Sequence, residues 1–441
     1  MKRMLALLLA LCMVFALCAC AGQTDPTDTS KDSTKDPSAP SESTPGNEQV
    51  DTVKIGVMLP LSTSQDASDM IKTLVDIFVE AINTTESDLN LPFHDVEGLP
   101  NLGGAKVEVV YGDTGSTADV CMTEVERLIT SEDVSIICGA FSSANTKTSM
   151  VPAEKYNRLI ISEGTSVTLL EAGYSNFFRT FPGDDTFVQQ SFEFIKNMNE
   201  TKNAGIKTLA VVCEDSEFGA SIGDQIRKYA KEYGIEIVED ISYSATATNV
   251  TSEVLRLKAV DADVVIMSSY EQDALLFMRT YKEQGYSPKM LFGQRGGFQS
   301  ANLVPTLGVD ADYIYSTARW APDYNTELAQ GICKKYEDAI GLQLSGDMIQ
   351  IGWNLMVAAC AINQAGTTDT DAVRDVFHKG IEIDPEQDPT GMKGYVYADN
   401  GQNTLTGAVV VQILDGKFST VYPFEAAAKD FVYPAPAWDE R

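Results

Sequence analysis

At 441 residues the chain exceeds the usual span of one compact domain and calls for two or three. Its 44% hydrophobic content is enough to fill such cores, while 63 acidic against 33 basic residues leave a net charge of −30 that disfavours nucleic acid, whose phosphates need a cationic face. His94 and His378 are the only histidines, so histidine-rich metal sites and most His-dependent catalysis are disfavoured, and neither a metal nor a cofactor is expected.

The chain opens with Lys2 and Arg3, followed by the uncharged apolar run Met4–Ala19. That run is shorter than the roughly 20 residues of a membrane span and reads as the n-region and h-region of an export signal, residues 1–19. Leu17-Cys18-Ala19-Cys20 resembles the lipobox of bacterial lipoproteins. The resemblance implies cleavage before Cys20, lipidation of Cys20 and anchoring to the outer face of the bacterial cell membrane. An uncleaved signal anchor is the alternative. Residues 21–49 lack Val, Ile, Leu, Met and aromatics, so residues 20–50 are expected to form a lipidated, disordered tether.

From Asp51 the sequence alternates strand and helix patterns. Strand-like runs fall at Val53–Leu59, Lys106–Gly112, Val134–Gly139 and Leu159–Ser162. A second series falls at Lys207–Cys213, Ile235–Ile241, Asp263–Ser268 and Lys289–Phe292. Helical faces lie between them: Ile71, Leu74, Val75, Phe78 and Ile82 in the first series, Ile222, Ile226 and Tyr229 in the second. Strand–helix units of about 25–30 residues, with strands apolar throughout, predict parallel sheets covered on both faces. Glu86–Gly104 reads as an inserted loop.

After Gly293 come a strand at Tyr313–Thr317 and helices at Thr326–Ala339, Asp347–Gln364 and Thr370–Lys379. Strands at Tyr395–Ala398, Ala408–Leu414 and Phe418–Tyr422 follow, the last two joined by the hairpin turn Asp415-Gly416. The expected fold is α/β: two doubly wound parallel-sheet lobes. Lobe one takes residues 51–180 plus 294–395 and lobe two 181–293 plus 396–425, with a surface tail at 426–441. The mature cysteines Cys121, Cys138, Cys213, Cys333 and Cys360 are odd in number and form no CxxC. They read as small buried hydrophobes, with one disulfide of unassigned partners left open.

In open parallel sheets ligands sit beyond the carboxyl ends of the strands. Those ends in lobe one carry Ser142, Ser143, Thr165 and Ser166, each at or just before a helix start, where hydroxyls and free N–H groups suit a carboxylate. Taken singly, such residues are usually plain N-caps. The ends in lobe two carry Glu214, Asp215, Glu271 and Asp273. An anion site facing acids across a cleft suits a zwitterion.

Val53-Lys54-Ile55-Gly56-Val57-Met58-Leu59-Pro60, Gly139-Ala140-Phe141-Ser142-Ser143 and Ile161-Ser162-Glu163-Gly164-Thr165-Ser166 are the first of an ordered set of motifs. Phe178-Arg179-Thr180 and Glu214-Asp215-Ser216-Glu217-Phe218-Gly219 continue it. Together they resemble the extracytoplasmic solute-binding proteins of ABC importers, of the branched-chain amino acid type with the type I periplasmic binding fold. The likeness runs from about Val53 to Tyr422. It implies three hinge crossovers, near Thr180, Gly293 and Tyr395, and a monomer that delivers an amino acid or related amide to an ABC permease. By position it implies Ser142 and Ser166 on the ligand carboxylate, the Thr165 carbonyl on an ammonium and Phe218 stacked over the ligand. Asp273 falls opposite the ammonium, with Glu271 as an alternative register. Glu163 stands where the family commonly has Pro or a small residue, the first loop Ser62–Asp69 lacks the usual Gly and is more acidic, and Arg295 and Trp320 are further cavity candidates; these departures argue against leucine-like ligands and leave polar, cationic or aromatic amino acids, or amides, open.

Two other readings compete. Gly219-Ala220-Ser221-Ile222-Gly223 matches the G-x-S-x-G nucleophile elbow, with His378 downstream. Yet Asp215–Gly219 separates Ser221 from its strand, whereas an elbow sits at the strand end. A sensor handing its ligand state to a receptor would carry the same pocket.

Overall fold

The computed structural model describes residues 50–115 and 117–441. The signal, the lipobox and nearly all of the tether lie outside them. Among the described residues no helix is long and apolar enough to cross a membrane.

The first lobe begins with β1 (Thr52–Leu59), α1 (Gln65–Asn83), β2 (Lys106–Asp113), α2 (Ala118–Thr130), β3 (Ile136–Cys138), α3 (Ser143–Lys155), β4 (Leu159–Ile161) and β5 (Phe177–Phe178). Its strands form one all-parallel sheet in the order β2-β1-β3-β4-β5. Side chains alternate across that sheet: Val53, Ile55, Val57 and Leu59 join the core under α1, while Met58 joins the core under α2. Each such Val or Ile contributes roughly 1.5–3 kcal/mol on full burial. Burial on both faces is why the inner strands β3 and β4 lack a polar alternation, which the edge strand β2 keeps.

The chain then enters the second lobe with α4 (Asp184–Lys202), β6 (Thr208–Glu214), α5 (Glu217–Tyr233), β7 (Glu236–Tyr243), α6 (Thr251–Val260), β8 (Val264–Ser268), α7 (Glu271–Glu283), β9 (Leu291–Gly293), α8 (Leu303–Leu307) and β10 (Tyr315–Ala318). It returns to the first lobe as α9 (Glu327–Ile340), α10 (Ile349–Ala365) and α11 (Thr370–Lys379). It ends in the second lobe as the hairpin β11 (Val409–Leu414) and β12 (Lys417–Tyr422). The second sheet runs β12-β11-β10-β9-β8-β6-β7, parallel except for that hairpin. Here too the pleat divides two cores: Val264 and Ile266 face one, Val265 and Met267 the other.

Three differences from the sequence reading concern the crossovers and the tail. β10 pairs with β9 and β11, so residues 294–318, expected in lobe one, belong to the second sheet, and the second crossover follows Ala318 rather than Gly293. Tyr395–Ala398 is no strand. Tyr395 and Tyr397 make single bridges to Ile381 and Asn403, and Gln402 bridges to Arg179, so the third crossover lies beyond Asn403. The tail is docked: Val432 exchanges hydrogen bonds with Gln412, and the Trp438 indole donates to the Tyr286 carbonyl at 2.8 Å. Its aromatic content, Phe431, Tyr433 and Trp438, was the available sign. The five cysteines are buried free thiols.

Candidate functional site

The two sheets turn their carboxyl ends toward each other, and a cavity lies between them. Phe141, Ser142, Ser143, Glu163 and Thr165 form the first lobe's wall; Phe218, Tyr270, Arg295 and Gly296 form the opposite one. Arg319, Asp347 and Gln350, from the second crossover and the start of α10, close the floor.

The first wall is built on an unusual turn. After β3, Gly139, Ala140 and Phe141 all have positive φ (115°, 92° and 50°), costly for the two that carry a Cβ. The turn is held because Gly139 N–H donates to the Ile161 carbonyl and Phe141 N–H to Glu163 Oε2 at 3.3 Å. It delivers Ser142 as N-cap of α3, its hydroxyl accepting from Asn145 N–H at 3.2 Å. Ser143 Oγ accepts from the N–H groups of Thr165 and Ser166, pinning the β4 loop to α3. The other Glu163 oxygen accepts from Asn354 Nδ2 at 2.9 Å. Burial raises the Glu163 pKa, and the bond from Asn354 and the charge of Arg319 offset this only in part.

Opposite, Arg295 also has a positive φ of 54°. It reaches across the cleft, Nη2 donating to Thr165 Oγ1 at 2.9 Å, with its guanidinium 4.6 Å from the Phe187 ring centre. Gly296 follows with φ 53°; a Cβ there would come within 2.6 Å of the Ser269 carbonyl, so this approach needs bare backbone. On the floor, Arg319 Nε lies 3.4 Å from Asp347 Oδ1 and its Nη2 donates to the Glu163 carbonyl at 2.9 Å. Burial, and then the neighbouring Arg295, push the Arg319 pKa down to about 9.

Six of the sequence-derived candidates thus line one cavity: Ser142, Ser143, Glu163, Thr165, Phe218 and Arg295. Asp273 does not. Its Oδ2 accepts from the Tyr243 hydroxyl at 2.5 Å inside lobe two, and burial pushes its pKa up to about 6. Glu271 is bound to Ser300 and Asn302. At this helix start it is the N-cap Tyr270 that lines the cavity, because successive residues of the first turn point about 100° apart. Ser166 bonds Glu217 across the lobes, outside the cavity lining. The Thr165 carbonyl already accepts from Arg179 Nη1 at 2.8 Å and Asp184 N–H at 2.9 Å, leaving little capacity for a ligand ammonium. Trp320 packs in the first lobe's core, donating to the Pro389 carbonyl.

Arg319, Asp347 and Gln350 went unread in the sequence. Arg319 stands just beyond a predicted strand, where the strand-end rule points, Asp347 just precedes α10, and Gln350 lies in the first turn of that largely apolar helix. Ser221 lies within α5 and accepts from Val167 N–H, while His378 packs on Phe178 at the end of α11. Neither is placed at a strand end as an elbow or its partner requires. Among the described residues no group of three or more His, Cys, Asp or Glu side chains could hold a metal ion.

A two-lobed α/β body with a polar cavity between facing sheet ends has the architecture of a receptor for a small solute. The chain belongs to the periplasmic binding protein family, whose model matches residues 52–417. That is a family of exported solute-binding proteins, not of enzymes, and the fold and family expected from the strand-end motifs are borne out. The chain is 26% identical over 358 residues to Leu/Ile/Val-binding protein homolog 7 of Brucella melitensis, covering 78% of this chain and 88% of that one. In fold it is similar to a branched-chain amino acid transporter substrate-binding protein from Streptococcus pneumoniae in complex with isoleucine. The TM-score is 0.67 at 19% identity, covering 87% of this chain and 100% of that one. It is also similar to an ABC transporter solute-binding protein from R. palustris in complex with 4-hydroxybenzoate. Here the TM-score is 0.69 at 17% identity, covering 88% and 99%.

Proposed function

We propose that the chain captures a small carboxylate-bearing solute, an amino acid or related compound, between its two lobes and delivers it to an ABC import permease. It works as a monomer held to the outer membrane face by lipidated Cys20. The observation that carries this reading is the cavity itself: anion-suited groups at the α3 N-terminus face Phe218, Tyr270 and Arg295 of the other lobe. Contacts from both lobes favour the closed state, so a solute shifts a hinge equilibrium by its differential affinity for that state. The relatives' amino acid and hydroxybenzoate ligands share a carboxylate on a compact apolar or aromatic body, and Phe141, Phe218 and Tyr270 offer aromatic surface for one. Calorimetry of the mature chain against amino acids, amides and aromatic acids, with X-ray scattering of the same samples, tests it. Binding accompanied by a smaller radius of gyration is expected; binding without compaction would contradict capture by closure. For the anchor, Cys20→Ala is expected to move the chain from the membrane fraction to the medium.

A further inference from the structure

The α3 end of the cavity supplies one anion site. The floor supplies groups with nothing to bind. Gln350 is 1% exposed, lines the cavity, and neither its Nε2 nor its Oε1 has a hydrogen-bond partner. Arg319 is 5% exposed; its Nε and Nη2 are engaged, but Nη1 is buried and unpartnered. Asp347 Oδ1 is shared between Arg319 at 3.4 Å and Arg295 at 3.8 Å, so one carboxylate stands between two guanidiniums. The other acid there, Glu163, is already committed to Asn354 Nδ2 and Phe141 N–H. Counted as charges, Arg295 and Arg319 are balanced by Asp347 and Glu163, and Arg179 behind the Thr165 loop by Asp184, so what the floor lacks is hydrogen-bond partners and not negative charge.

Buried polar groups without partners are rare because each keeps its full desolvation cost. Here three of them, both Gln350 side-chain atoms and Arg319 Nη1, belong to residues that share one wall of a binding cavity. A leucine-like side chain laid on that floor would leave Gln350 and Arg319 Nη1 unmet. A cationic side chain would meet two arginines. A neutral amide would meet Gln350 but give Arg319 Nη1 a weaker acceptor than a carboxylate, whose bond to a guanidinium is charge-assisted.

We infer that the captured solute carries a second anionic group, as a short dicarboxylate or acidic amino acid does, held on the floor by Arg319 and Gln350 while its first carboxylate meets Ser142 and the α3 N-terminus. This rests on the solute-capture reading and names its ligand class. A site built to hydrogen-bond a group rejects analogues that lack it far more strongly than one that merely encloses them.

The test is calorimetry of the mature chain with L-aspartate, L-glutamate, succinate and glutarate against L-glutamine and L-leucine, with scattering to follow closure. At least one of the four dianions is expected to bind 100-fold or more tightly than both neutral-side-chain compounds. The diacids without an amino group separate the need for a second carboxylate from any need for an ammonium. Gln350→Leu, nearly isosteric, is expected to weaken the best dianion tenfold or more with little change in the melting curve. Arg319→Lys, which keeps the charge but loses the fork, is expected to weaken it further. Closure on leucine or glutamine as tight as on any dianion overturns the second anion and leaves solute capture standing. So does dianion binding indifferent to both variants. If none of the six binds, the dicarboxylate assignment fails, and the wider screen alone then decides on capture.

Discussion

Arg295 Nη2 donates to Thr165 Oγ1 at 2.9 Å, a hydrogen bond that joins the second lobe to the first inside the cavity. Thr165→Val removes that acceptor while sparing the carbonyl held by Arg179. A hydrogen bond to a charged group contributes about 1.5–3 kcal/mol, so the variant is expected to lose roughly 10- to 100-fold in affinity for whichever solute closes the lobes. Its unliganded scattering radius should exceed that of the parent. Unchanged affinity in calorimetry would remove Thr165 from the closing machinery.

A second contact between lobes lies outside the cavity. Glu217, opening α5, accepts from Ser166 and Thr168 and pairs with Lys147 at 3.0 Å. These bonds, that from Thr168 first, hold its pKa below the usual carboxylate range. The sign follows: a depressed acid pKa favours the closed form above the ordinary glutamate pKa and loses that support as pH falls through the lowered one. Glu217→Ala is therefore expected to raise the solute dissociation rate several-fold at pH 7, as stopped-flow fluorescence would read, with a smaller difference from the parent at pH 4. An unaltered rate would mean that the latch does not bear on release.

Arg179 is the fixed point of the hinge. It is fully buried; Nη1 donates to the carbonyls of Thr165 and Ser166, and Nε to Gln402 Oε1 at 2.6 Å. It thereby ties the first crossover to the third and to the cavity loop. Burial pushes its pKa down to about 10, so it stays charged at neutral pH. Arg179→Met is expected to destabilise the chain by about 3–5 kcal/mol in urea unfolding, because the Thr165 and Ser166 carbonyls and Gln402 Oε1 are left buried without their charged donor. A loss under 1 kcal/mol would show that the crossovers hold without it.

The central strands were legible because they are apolar on both faces, and the serines of the first wall because they end strands and start helices together. What escaped the sequence depends on which way a side chain turns at a helix start. Glu271, Asp273 and Tyr270 occupy one turn, and spacing alone does not say that Tyr270 takes the cavity while Asp273 folds back on Tyr243. β10 was read correctly as a strand but given to the wrong lobe, because sheet membership is decided by pairing with β9 and β11 far along the chain. Arg319 and Gln350 join the site only once the second crossover brings them under both lobes.

Asp273 supplies a test that distinguishes a structural acid from a ligand-binding one. An unfolded aspartate releases its proton near 3.9, whereas folded Asp273 keeps it up to about 6 because burial disfavours the anion. Between those values the folded state binds more protons than the unfolded one. Its stability therefore falls as pH rises, and the penalty is fully present above about pH 6. Asp273→Asn keeps an acceptor for the Tyr243 hydroxyl and removes the charge. The variant should be more stable than the parent by about 2–3 kcal/mol at pH 8 and nearly equal to it at pH 4. Because the carboxylate does not line the cavity, solute affinity should be unchanged. Urea unfolding at both pH values, with calorimetry at pH 8, reads both outcomes. A pH-independent stability difference would reject the raised pKa, and a large loss of affinity would return Asp273 to the ligand.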